Sequence, residues 1–138
     1  DINSAESYIQ KAIASVPGYY NYRALSEIQI LKLNDIITQD QSKVTAQEVQ
    51  NQFKSVLGKA VEAGIAAKNA DPKNYLNWIA LGRVYESVSI QQLHVDGAYE
   101  SAKLAYTQAM NRNPKNPGIL ILLARRTVNH GNLEQAKL

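Results

Sequence analysis

Residues 75–86 read YLNWIALGRVYE, and residues 98–114 read AYESAKLAYTQAMNRNP. Large and small side chains alternate in these two segments in a pattern that decides the fold. Trp78, Leu81 and Tyr85 recur at i, i+3 and i+7, which places them on one side of an α-helix. Gly82 and Ala102 are small, and the expectation is that two antiparallel helices approach each other closely there. Tyr106 and Ala109 offer a surface for a following helix pair. Pro114 stops the second helix, because proline lacks the amide hydrogen and clashes with the preceding turn.

The same punctuation recurs outward from this centre. Ala60, Gly64, Ala67 and Pro72 repeat the spacing of Ala102, Tyr106, Ala109 and Pro114, with glycine in the aromatic's place. Ala5, Ile9, Ala12 and Pro17 repeat it again near the start. Tyr22, Leu25 and Ser26 form a weaker opening segment after Pro17, and Leu120, Leu123 and Ala124 form another after Pro117. Caps agree with this division. Asn116–Pro117 reads as an N-cap with proline at the first helical position, and Asn74 is placed to cap the helix carrying Trp78. Thr45 with Glu48 is a capping box. Asp96–Gly97 and His130–Gly131–Asn132 read as turns. Helices are therefore expected near 3–15, 20–38, 46–70, 74–92, 97–112 and 117–129.

The pattern W-x2-L-G-x2-Y followed by A-x3-Y-x2-A-x4-P resembles the tetratricopeptide repeat (TPR) family. That resemblance covers essentially the whole chain and implies an all-α fold of antiparallel helical hairpins stacked as a right-handed superhelix. It implies one TPR domain over residues 1–138, divided into a closing helix of a cut repeat (1–17), a long hairpin (18–72), a second hairpin (73–114) and an opening helix with a stub (115–138). One departure concerns spacing. Pro17 and Pro72 lie 55 residues apart and Pro72 and Pro114 lie 42 apart, against a period of 34 for the family. The excess of 21 and 8 residues falls within the hairpins, around 34–44 and 87–95. It either lengthens the helices, which Ile28, Leu31 and Ile36 favour, or forms loops at the hairpin tips.

The resemblance also implies a function: a protein- or peptide-binding scaffold whose concave groove is lined by the first helix of each repeat. Groove positions then fall on Tyr20, Arg23, Glu27 and Ile30, on Leu76, Ile79, Arg83, Glu86 and Ser87, and on Ile121, Arg125 and Val128. Arginine among aliphatic residues suits a partner with an apolar anchor and a carboxylate. The subfamily that clamps C-terminal carboxylates is not matched, because its positions hold Arg23, Glu27, Ala80, Gly118 and Leu122. Residues 75–86 and 97–117 also resemble C-terminal repeat regions of bacterial membrane proteins of the O-antigen ligase type. That implies an extracytoplasmic accessory region of a larger membrane-bound, glycan-handling protein. With no initiator methionine and no signal peptide, the chain reads as excised from something longer.

Composition narrows the remaining classes. The chain has 138 residues, 45% of them apolar and 20% charged, as in ordinary soluble domains. Without cysteine, disulfides and thiolate metal sites are excluded. The apolar run from Gly118 to Ala124 is too short to span a bilayer, so no direct membrane insertion is expected. Up to Asp96 there are nine Lys/Arg and ten Asp/Glu; from Gly97 there are six and two. A basic end favours an acidic partner, while the near-neutral remainder argues against the alternative of an RNA-reading helical repeat. No nucleic-acid partner is expected, and self-association through the cut repeat ends is a further possibility. No enzyme motif is present: His94 and His130 have no helical partner at metal-ligand spacing, and Gly58–Lys59 lacks the upstream glycine of a phosphate loop. No catalytic residue, metal or cofactor is expected.

Overall fold

A computed structural model of the chain describes residues 1–89, 93 and 95–136, with side chains described through Gly131. Among the described residues the regular structure is α-helical and no strand is present. The helices are α1 (Ile2–Ser15), α2 (Tyr19–Thr38), α3 (Ala46–Ala70), α4 (Tyr75–Ser87), α5 (Ala98–Arg112) and α6 (Pro117–Ala136). None of the described helices is long and apolar enough to cross a membrane. The chain divides into two compact units, Asp1–Ala70 and Asp71–Leu138.

Capping explains where several helices start. Asn74 Oδ1 accepts from the Leu76 amide at 3.1 Å, and Asn116 Oδ1 accepts from the Gly118 amide at 2.9 Å. At the start of α3 the capping box closes in both directions. The Thr45 amide donates to Glu48 at 2.7 Å, and the Glu48 amide donates to Thr45 Oγ1 at 3.1 Å. Each bond satisfies an amide that the first helical turn leaves without a partner. Gly97, at φ +75°, precedes α5 in the left-handed region that glycine adopts without steric cost.

In the first unit α2 packs against both α1 and α3. Its packed side on α3 is made of small residues: Ala60, Ala63, Gly64 and Ala67, at i, i+3, i+4 and i+7, are all buried. Leu33 is the large apolar side chain enclosed from α2, and Ser26 and Gln29 are enclosed beside it. Glu6 of α1 reaches this interior. Its carboxylate accepts from Gln29 Nε2 at 2.7 Å and pairs with the Lys32 ammonium. The Lys32 hydrogen bond holds Glu6 below its ordinary pKa of 4.5, with Gln29 and Lys59 adding to the effect against the opposing cost of burial.

The second unit has a different centre. Alanines 98, 102, 105 and 109 give α5 a smooth buried stripe, and Tyr106 stands out of it fully enclosed. The Tyr106 ring lies against Gly82, where an added methyl group would collide with ring carbons Cδ1 and Cε1. The nearest atoms across from Gly82 are therefore those of Tyr106, one helical turn beyond Ala102 on α5. The glycine is required by the aromatic ring of the opposite helix, although Ala102 is itself completely buried. Val84, Val88 and Ile119 are fully enclosed as well, and Ala80 and Leu81 of α4 are buried.

The two hairpin tips resolve differently. In the first, the added residues lengthen the helices: α2 has 20 residues and α3 has 25. In the second, α4 stops at Ser87 and not at 92, so the described residues there do not extend the helix. Residues 90–92 and His94 lie outside the described residues. The expected turn at His130–Gly131–Asn132 is also corrected, because α6 continues through it to Ala136. Gly131 has no positive φ, and the His130 ring stacks on Tyr99 of α5 with centroids 3.8 Å apart. That contact holds the helix against its neighbour at the point where the sequence offered a break.

Candidate functional site

The expected site residues fall into two sets, one in each compact unit. On α2 of the first unit, Tyr20 is 70% exposed. Its ring stacks on Tyr19 at 5.1 Å, and the Arg23 guanidinium sits over both rings, 4.8 Å from the Tyr20 centroid. Cation–π attraction of this kind holds an arginine in place without consuming its in-plane donors. Glu27 and Ile30 follow on the same side and are half-buried. Leu31, 56% exposed, continues the stripe at i+11 from Tyr20 and i+4 from Glu27. It was missed among the candidate site residues, although the helical spacing carried the signal.

On the second unit the structure brings candidates from α4 and α6 together. Arg125 donates to the Glu86 carboxylate through Nε at 3.2 Å and Nη2 at 2.9 Å. The other Glu86 carboxylate oxygen accepts from the Tyr106 hydroxyl. Glu86 is therefore the hinge point of the site: it links a buried phenol of α5 to an exposed guanidinium of α6. Burial is the main reason that the Tyr106 pKa is raised, and the adjoining Glu86 hydrogen bond and negative charge raise it further; Arg125 and Arg83 oppose this. The phenol is accordingly a fixed donor. No part of the sequence pattern announced the bond, because Tyr106 and Glu86 lie 20 residues apart on different helices.

Apolar side chains are also exposed on the same two helices. Ile121 is 65% exposed and Val128 60%, both on α6, while Leu76 of α4 is exposed and Ile79 is half-buried. Arg83 is exposed on α4. The Ser87 hydroxyl is turned back onto its own helix, donating to the Val84 carbonyl at 2.7 Å. The repeat motif puts Trp78 between the helices of its hairpin and so predicts a largely buried indole, but in the structure it is half-buried. Its indole N–H donates to the Pro72 carbonyl at 2.8 Å, and Arg112 covers its ring at 4.4 Å. Proline's carbonyl and a cation thus supply part of the indole's surroundings.

Arg126, beside Arg125, behaves oppositely to it. It is buried, donates to Ser89 Oγ, and lies 4.7 Å over the Tyr99 ring. It thus joins the packing between α6 and α5. No group of three or more His, Asp or Glu side chains able to hold a metal exists among the described residues. Against protein-family models, curated proteins and solved structures alike, the chain finds no match. The functional reading therefore rests on the residues themselves.

Proposed function

We propose that this chain is a protein- or peptide-binding scaffold of TPR type, a hairpin repeat of the superhelix-forming kind, with recognition surfaces on the exposed side of α2 in the first unit and of α4 and α6 in the second. One observation carries the reading. The Arg125–Glu86–Tyr106 chain of hydrogen bonds orients an exposed guanidinium on α6, where Ile121 and Val128, at i−4 and i+3 from Arg125, expose apolar surface. A partner placing an aliphatic side chain against those residues and a carboxylate at Arg125 would find both contacts prepared. On the first unit, the Tyr20–Arg23 stack with Leu31 offers the same combination of ring, cation and aliphatic group.

The test is capture of a partner from the source organism, followed by Arg83→Ala and Arg125→Ala in the purified complex. Both variants should weaken the complex and leave helicity and the unfolding midpoint nearly unchanged, since exposed ion pairs contribute only about 0–1 kcal/mol to stability. Normal binding by both, with loss on changing residues outside α2, α4 and α6, would overturn the assignment. A parallel titration with single-stranded RNA at two salt concentrations provides the contrasting arm. Tight, steeply salt-dependent RNA binding would replace the peptide reading.

A further inference from the structure

The first unit contains a cleft of about 650 Å³, well inside the range of ligand sites, between the start of α1, the second half of α2 and the first half of α3. Its α2 lining adjoins the side that carries Tyr20, Arg23, Glu27 and Ile30: at helical spacing Lys32 and Ile36 point about a third of a turn or more away from all four, and Asp35 stands at the near edge, about a sixth of a turn from Tyr20. Its floor is aliphatic: Ile2, Ile36 and Val56 line it and are half-buried. Its rim is polar, with Asn3, Asp35, Asn51 and Gln52 exposed.

Two features define the chemistry of an occupant. The first is charge. Lys32 also lines the cleft, but its ammonium is committed to Glu6. The Asp35 carboxylate has no ion-pair or hydrogen-bond partner among the described residues, so the cleft has one uncompensated negative charge. The second is hydrogen-bonding capacity. Asn51 Oδ1 accepts from Gln47 at 3.0 Å, and Gln52 Oε1 accepts from Gln39 at 3.4 Å. In both residues the amide oxygen is engaged, which leaves the NH2 group to donate outward.

We propose that this cleft binds a lysine side chain presented by an extended peptide. The methylene stem lies on Ile36 and Val56, the ammonium reaches Asp35, and the Asn51 and Gln52 amides donate to main-chain carbonyls. The amides choose between possible sources of the ammonium, because a free diamine has no carbonyl to accept from them. This site is independent of the recognition surface described above and can fail or succeed without it.

The probes are a blocked tripeptide with central lysine, the same peptide with norleucine, and 1,4-diaminobutane. Each is titrated into the whole chain at constant ionic strength and followed by backbone amide chemical shifts. The lysine peptide should produce saturable shifts at Ile36, Asn51, Gln52 and Val56. Norleucine in its place, or Asp35→Asn in the protein, should weaken binding about fivefold, the size expected of one exposed ion pair. Asp35→Lys should weaken it further through repulsion. The diamine should bind more weakly than the peptide, and Arg83→Ala and Arg125→Ala should leave these shifts unaltered. Equal binding of the norleucine peptide, full retention in Asp35→Asn, or no saturable shift with any probe would overturn the proposal. Diamine binding as tight as the peptide's would overturn the peptide source.

Discussion

The two compact units solve the same packing problem in different ways. Their sequences align Ser26 with Gly82 and Gly64 with Tyr106. In the second unit, the glycine on one helix makes room for an aromatic ring on the other, and that ring's hydroxyl then reaches Glu86. In the first, both positions are small and both are buried, so no ring fills the interior. A polar cluster is drawn in there, in which Glu6 of α1 meets Gln29 and Lys32 of α2. One unit is thus held by a knob whose size is critical, and the other by hydrogen bonds whose charge state is critical. A buried carboxylate persists only when its lone pairs are matched, and here Gln29 and Lys32 match them.

The largest effect that would test this contrast is Tyr106→Ala. Removing a fully enclosed ring should cost about 3–5 kcal/mol. Trp78 is the chain's single tryptophan and belongs to the same unit, so the loss should be read directly in the fluorescence-monitored urea midpoint. A loss below about 1 kcal/mol would mean that the second unit does not depend on its knob.

Gly82→Ala should come next, at about 1–3 kcal/mol, because the methyl group meets the ring despite alanine's better helix propensity. The double variant Gly82→Ala/Tyr106→Leu should show non-additivity, with less additional loss than the single changes predict. The matching change in the first unit, Ser26→Ala, should be nearly neutral. It removes one bond from Ser26 Oγ to the Arg23 carbonyl and gains helix propensity of similar size. A large loss at Ser26 with none at Gly82 would reverse the comparison.

Acid should affect the first unit specifically. Glu6 has a depressed folded-state pKa, so its stabilising contribution is present above the ordinary value of 4.5 and is lost as pH falls through the folded value. Thermal midpoints measured from pH 6 downward should fall, and Glu6→Gln should flatten that acid dependence while lowering the plateau. An unchanged slope in the variant would remove Glu6 as the source. Tyr106 has the opposite sign. Its raised pKa gives stability that is present below the ordinary phenol value of 10.0 and is lost as pH rises beyond it. Tyr106→Phe should therefore reduce the alkaline sensitivity.

The smallest effect is expected at Arg125→Ala, about 0–1 kcal/mol in the absence of a partner, because its ion pair with Glu86 is exposed on the arginine side. A larger loss would place Arg125 in the unit's packing and weaken its reading as a recognition residue.

Local chemistry made much of this molecule legible before any coordinates. The helix ends at Thr45, Asn74 and Asn116 follow from side chains that bond amides two or three residues away, and the buried stripes of α3 and α5 follow from alanine at helical spacing. Such features depend on neighbours within about one helical turn, whose positions the backbone dictates. The rest depended on residues far apart in the chain. Gly82 makes room for the Tyr106 ring, a partner 24 residues away that spacing along one helix could not name. Gly131 continues a helix, because Tyr99 stacks on the adjacent histidine and outweighs a weak local breaker. Glu86 gained its role from Tyr106 and Arg125 together, and Asp35 gained its isolation when Glu6 took Lys32. Sequence by itself determined where the six helices lie, apart from the ends of α4 and α6, and which stripes are small and apolar, since both are properties of spacing along one chain. Only tertiary structure decided which polar groups pair and which are left facing a cleft, because pairing is a contest among groups that meet only after the helices pack.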